Sequence, residues 1–209
     1  ALFYPAWGHN IEAEYIKPVL KNLRGTAGLY CTADAEAFCC SKSIDELEQL
    51  NHTGALEWIR SFENQNNETG VPLTQSLRKA NMFWYEMQTD NMADFVANVN
   101  YDKSLFIATF NNRSFIDQRM IGLSLKTEFQ TEDRVLLLAL LNSILSMFFI
   151  ESFGFGRGLG ALDLRATKFE RDFKLLNFQS LSDGQKQAIA DVFQPISQRN
   201  RLPLEQEIE

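Results

Sequence analysis

Gly154, Gly156, Gly158 and Gly160 form the pattern in this sequence that most suggests ligand chemistry, because glycine lets backbone amides come close to a phosphate. Their spacing argues against it. A dinucleotide fingerprint needs G-x-G-x-x-G after a strand and at the head of a helix. Here the order is G-x-G-x-G-x-G, reading as a loop after a helical apolar run and before a short strand at Ala161–Leu164. Neither G-x-x-x-x-G-K-[ST] nor H-E-x-x-H occurs. Cys31, Cys39 and Cys40, with His9 and His52, lack zinc-ligand spacing. Three cysteines, two of them adjacent, make no disulfide framework and read as buried thiols of a reducing compartment. Carboxylates are plentiful, but no motif singles one out, and neither histidine has a catalytic partner in sequence. His52, before Thr53, reads as a turn or capping residue. These residues predict no catalytic group, no cofactor-binding residue and no metal ligand.

The element that organises the rest runs from Thr131 to Leu164. Thr131 is a good N-cap, and Glu132 and Asp133 place negative charge at the positive end of the helix dipole. Sixteen mostly apolar residues, Val135–Ile150, are interrupted only by Asn142, Ser143 and Ser146, which predicts one helix buried on most of its sides. The run falls short of the roughly 20 residues a bilayer needs, so it reads as a core helix and predicts no membrane association.

Before it, Ile11–Leu20 begins as a helix that Pro18 ends or kinks. Gly28–Thr32 and Ala37–Cys40 are strand-like. Ser43-Ile44-Asp45-Glu46 is a capping box, and a second helix starts at Thr53. Asn64–Arg78 reads as an exposed loop, followed by an aromatic strand at Asn81–Glu86. Short runs follow at Phe95–Val99, Leu105–Phe110, Ser114–Ile116 and Met120–Leu125, with Asn111-Asn112 as a turn signal. Beyond the long helix come a turn or short helix at Thr167–Phe173, a capping box at Ser182–Gln185, and a helix through Phe193 that Pro195 stops. The fold class expected is α+β: a mixed or antiparallel sheet of short strands packed with a long buried helix and peripheral helices. Residues 1–177 read as one domain, and 178–209 as a C-terminal helix and polar tail.

The net charge of −7 and pI near 5.0 oppose nucleic-acid binding until the charge is located. Residues 34–68 hold eight acids against Lys42 and Arg60. Residues 103–126 carry Lys103, Arg113, Arg119 and Lys126 against Asp117 alone. A basic face can coexist with an acidic one.

Ala139-Leu140-Leu141-Asn142-Ser143, continuing through Phe149-Ile150-Glu151-Ser152-Phe153 and the glycines to Gly160-Ala161-Leu162-Asp163-Leu164, resembles the C-terminal part of TaqI-like, type IIG-like adenine-specific DNA methyltransferases. A helix of the form LLNSxLxxxFxE, then glycines and GAL, carries the resemblance. Three further stretches agree in order: Ile11–Lys21, Gly54–Ile59 and Trp84-Tyr85-Glu86 behind a basic loop. Phe115–Arg119 resembles the family's strand of that place. The chain departs from the pattern at Arg78-Lys79-Ala80-Asn81, where related proteins tend to have a glycine.

The resemblance implies a DNA target-recognition domain of a restriction-modification methyltransferase, cut from a larger chain that begins before Ala1. The catalytic domain of that parent, and the S-adenosylmethionine it would use, are expected outside these residues, and the fragment alone is expected to have no activity. The expected partners are double-stranded DNA and that catalytic domain, in a bacterial or archaeal cytoplasm. Lys17, Lys21, Arg78 and Lys79 are the candidates for phosphate contact. Asn111, Asn112, Arg113, Gln118 and Arg119 are the candidates for reading bases, since Asn, Gln and Arg can bond adenine and guanine edges with two hydrogen bonds. Arg157 would reach phosphate or cap the preceding helix. The alternative is a protein-interaction module that docks through acidic residues 34–68 without touching DNA.

Overall fold

Pro18 settles the first element, and not as a helix breaker. In the computed structural model, which describes residues 2–5, 8–89, 92–101, 105–126, 133–158 and 161–200, a 3-10 turn at Ala13–Tyr15 runs directly into β1 (Ile16–Leu20). The fixed φ of proline suits extended backbone, and Pro18 also biases Lys17 toward the β region. The helix expected to begin at Ile11 is only that 3-10 turn, and its second half is a strand. β2 (Tyr30–Cys31) and β3 (Ala35–Phe38) follow. The chain divides into two units, Ala1–Val19 with Ala33–Met92, and Leu20–Thr32 with Ala93–Glu209.

In the first unit β1 pairs antiparallel with β3, Ile16 opposite Phe38 and Val19 opposite Ala35. The Ser43–Glu46 capping box forms as expected and opens α1 (Ile44–Gln49). α2 (Thr53–Phe62) has His52 at its N-cap, but the His52 side chain makes no capping bond. Glu12 does the capping from 42 residues away. Its two carboxylate oxygens accept from the Gly54 and Ala55 amides, each at 2.9 Å. That seat requires glycine at 54, because a Cβ there would lie 2.0 Å from the Asn10 carbonyl oxygen. Burial by itself would raise the Glu12 carboxyl. The backbone amides of Glu12, Ala55 and Gly54, with His52 nearby, hold it below the usual carboxylate range.

The expected loop at 64–78 includes a short helix, α3 (Leu73–Ser76). The aromatic stretch 81–86 is a turn and not a strand. Asn81 has φ +60°, the left-handed conformation that a glycine would supply at that place. Glu86 then accepts from the Phe83 amide at 2.9 Å and closes the turn. Tyr85 is buried with its hydroxyl on the Lys42 carbonyl at 2.9 Å, and Phe83 stacks on its ring.

The second unit is a mixed sheet. β4 (Ala93–Asn98) lies at its centre, antiparallel to β6 (Ile107–Ile116) and to β7 (Met120–Leu123), while β2 runs parallel to β6. β5 (Asn100–Tyr101) pairs with a separate hairpin described below.

The apolar run expected to be one helix is two, α4 (Asp133–Leu141) and α5 (Ile144–Phe153), bent by 51°. Its own polar residues divide it. Asn142 accepts from the Ile107 amide at 3.0 Å and donates to the Ile107 carbonyl at 2.9 Å, acting as a strand partner for a buried edge. Ser143 caps α5 by accepting from the Ser146 amide, and the hydroxyls of Ser143 and Ser146 both donate to the Leu140 carbonyl. α4 is buried from Leu136 through Leu141. α5 is not buried on most sides, since Ile144, Leu145 and Phe148 are exposed. The expected Thr131 cap lies outside the described residues. Among those residues no single helix is long and apolar enough to cross a bilayer; only the bent pair passes on length and composition, and only as a pair.

The glycine-rich stretch, expected as a loop, is a strand over Phe155–Gly158 (β8), while 159–160 lie outside the described residues. β8 pairs antiparallel with β9 (Ala161–Asp163), and β9 in turn pairs with β5. α6 (Ala166–Asp172) falls where a turn or short helix was expected. α7 (Asp183–Ser197) has the expected capping box but runs through Pro195, whose φ suits a helix and whose missing amide costs one bond near the C-terminus. Phe178, just before α7, is buried in this unit's core, with Ile189 and Phe193 packed against it. The α+β class and the mixed sheet are as the sequence predicts.

Candidate nucleic-acid interface

The candidates at 111–113 lie within β6, so Asn111-Asn112 is not a hairpin turn. It is expelled from the ladder all the same. Thr109 pairs with Phe95 and Ser114 with Ala93, so four residues of β6 face a single residue of β4, Asp94. The surplus bulges outward and leaves Asn111, Asn112 and Arg113 exposed in an otherwise buried strand. The preference of asparagine for irregular backbone was legible in sequence. Its expression as a bulge rather than a turn depends on β4 supplying partners on both sides.

Beneath the bulge lies an ion pair. Asp94 is an acid in the central strand with a side chain only 5% exposed. Its carboxylate accepts from Arg134 at 2.8 Å and from the Leu125 amide at 2.8 Å, and lies 3.6 Å from the Arg113 guanidinium. Arg134 also donates to the Phe110 carbonyl at 2.7 Å and lies over the Phe95 ring. One guanidinium thus neutralises the buried acid and satisfies a carbonyl freed where the strand leaves the ladder. No motif in the sequence singles out Arg134. The signal available was one acid in the apolar strand 93–97 and one arginine at the head of the apolar run, each needing a partner if buried.

Gln118 and Arg119 are exposed at the turn from β6 to β7. Arg119 donates to Asp117 at 2.8 Å, and this bond holds the Asp117 carboxyl below its usual range. The Asp117 amide donates to the Leu20 carbonyl at 3.0 Å, so exposed Lys21 joins Gln118 and Arg119 at one end of the sheet. The bulge is a separate group, set apart by Ser114–Ile116. In the first unit Arg78 and Lys79 are exposed after α3, and Lys17 is half-buried on β1. The Arg157 backbone lies in β8, and its side chain is outside the described residues.

The unit division also sorts the charge. Of the acidic and basic side chains in the sequence, the first unit holds 12 acids against 5 basic groups, the whole of the −7, while the second balances at 15 and 15.

The ionisable side chains that meet in the first unit are held by close neighbours. The Tyr15 hydroxyl meets His52 Nδ1 at 2.7 Å, and Glu14 lies 3.1 Å from the same nitrogen. Burial, with Glu14 adding to it, pushes the Tyr15 phenol upward, so it stays protonated. All three cysteines are free and buried; burial pushes Cys31 up to about 12 and Cys40 up to about 11, and neither is a nucleophile. Among the described residues no group of three or more His, Cys, Asp or Glu side chains is placed to hold a metal ion.

No protein-family model matches the sequence, and no curated protein matches it. The fold is shared with part of a restriction enzyme. That enzyme is the type IIG restriction endonuclease BpuSI, whose crystal structure is similar at 13% identity and a TM-score of 0.52 over 93% of this chain and 22% of that chain. At this identity the likeness is one of fold, and this chain spans about 22% of BpuSI's length.

Proposed function

We propose that the chain is the DNA sequence-recognition domain of a restriction-modification adenine-specific methyltransferase. It binds duplex DNA and positions the target adenine for S-adenosylmethionine-dependent methylation by a catalytic domain elsewhere in the parent chain. The observation that carries this reading is the exposed Asn111-Asn112-Arg113 bulge, seated on the buried Asp94–Arg134 pair. Side chains with two-pronged hydrogen-bonding geometry are presented on rigid sheet, as base reading requires. The fold shared with part of a type IIG restriction endonuclease supports it independently. Lys21, Arg78 and Lys79 would fix register on phosphates, and Gln118 and Arg119 would extend the reading surface.

The test is a salt titration of binding to mixed-sequence duplex, followed by variants. R78E/K79E weakens binding to all sequences alike and flattens the salt dependence. Changes at Asn112 or Arg113 shift which sequence is preferred, by roughly 1–3 kcal/mol at the affected base pair. Equal affinity of the wild type and all these variants for every duplex refutes the interface. Absence of duplex binding at low salt favours the docking module on acidic residues 34–68.

A further inference from the structure

A cleft of about 500 Å³ lies within the first unit, and the interface above makes no use of it. Lys17, Ser41, Lys42, Gln88 and Thr89 are among the residues lining it. Its two walls are tied together. The Met87 amide donates to the Cys40 carbonyl at 3.2 Å, and the Cys39 thiol donates to the Met87 carbonyl at 3.1 Å. Burial pushes the Cys39 thiol upward, which keeps that donor proton in place. Lys17 enters from β1, where it sits opposite Ala37, and Lys42 follows the end of β3. Glu14 also lines the cleft, but its carboxylate is engaged with His52 at 3.1 Å. Among the described residues neither lysine has a carboxylate within 4.0 Å, although this unit carries all of the chain's net negative charge.

Two ammonium groups, neither within salt-bridge distance of a carboxylate, line this tied cleft, with the Ser41 and Thr89 hydroxyls and the second N–H of Gln88, whose first goes to Glu86 at 2.8 Å, around them. Two like charges lining one cleft repel each other, and an anion between them relieves that repulsion. We infer that this cleft is a phosphate-binding site, the two lysines neutralising the anion and the neutral donors taking its remaining oxygens. The phosphate belongs either to a nucleic-acid backbone or to a free nucleotide. Lys17 is also among the residues expected from the sequence to meet phosphate, but the inference asks only for a phosphate in this cleft and stands or falls separately from the proposed function.

The experiment compares wild type with K17Q/K42Q and, as a milder change, Q88A, each checked for unchanged circular dichroism. Two probes are used, a mixed-sequence DNA duplex and dAMP. If the phosphate is a backbone one, the slope of log affinity against log salt for duplex falls by about two in K17Q/K42Q. If it comes from a free nucleotide, dAMP binding by the wild type weakens at least about tenfold in K17Q/K42Q and by less in Q88A. Loss in either arm supports the site. Unchanged binding of both probes in K17Q/K42Q, or no binding of either probe by the wild type, overturns it. A wild type that binds dAMP through these lysines but ignores duplex would refute the DNA reading and leave the cleft intact.

Discussion

Arg134→Ala is the sharpest perturbation of the second unit. It leaves the Asp94 carboxylate, 5% exposed, with the Leu125 amide as its one close donor and Arg113 at 3.6 Å. It also takes from the Phe110 carbonyl its shorter bond, 2.7 Å from Arg134, leaving the Thr109 hydroxyl at 3.4 Å. Removing one partner of a buried pair costs about 3–5 kcal/mol. Asp94→Ala strands the guanidinium instead and costs a similar amount. The two effects should not add, because the second removal deletes a charge already left alone. In D94L/R134M no charge remains buried, and the loss shrinks to about 1–3 kcal/mol for the unpaired Leu125 amide, the Phe110 carbonyl keeping the Thr109 hydroxyl at 3.4 Å. The assay must report on the correct unit. Trp7, Trp58 and Trp84 all belong to the first, so tryptophan fluorescence would miss the change. Amide hydrogen exchange at Val96, Ile107 and Thr109 reads it directly. Protection should fall by roughly a hundred- to several-thousand-fold in each single variant, since about 1.4 kcal/mol is a factor of ten, and recover partly in D94L/R134M. Singles that cost less than tenfold and combine additively would refute the pair as the support of the bulge.

Two other perturbations test the frame around the site. Glu12→Gln removes the charged cap from α2 and should cost about 1 kcal/mol. Because the folded Glu12 value lies below the unfolded one, its contribution is complete above the ordinary carboxylate range and lost as pH falls through the lowered value. Wild type and E12Q stabilities, measured by denaturant unfolding followed through tryptophan fluorescence, should therefore converge in acid and separate toward neutrality. Asn142→Ala removes the partner of both the amide and the carbonyl of fully buried Ile107. At about 1–3 kcal/mol for each buried group left unpaired, it should cost roughly 2–5 kcal/mol. Exchange of the Ile107 amide reports the loss, and wild-type protection there would show that the break between α4 and α5 does not depend on this side chain.

Local chemistry determined much of this protein without help from the fold. The capping boxes at Ser43 and Ser182 involve residues three apart, so their geometry is settled by neighbours in sequence and forms as read. Runs rich in Phe, Val and Ile became strands because each is long enough to bury one face, and the α+β class followed from their order. Tertiary structure decided the rest wherever a polar group had to find a partner far along the chain. Asn142 broke the long helix because Ile107 needed both of its backbone groups satisfied. Pro18 became a strand residue because extended backbone with a partner in β3 accommodates it as well as a helix end does. Asn111-Asn112 became a bulge because β4 pairs on either side of it and Arg134 bonds the strand where it departs. Glu12 caps a helix that begins 41 residues later. A periodic pattern shows which face a segment will bury, but a buried hydrogen bond or ion pair is specified by two positions at once, and one-dimensional spacing carries no record of which two will meet.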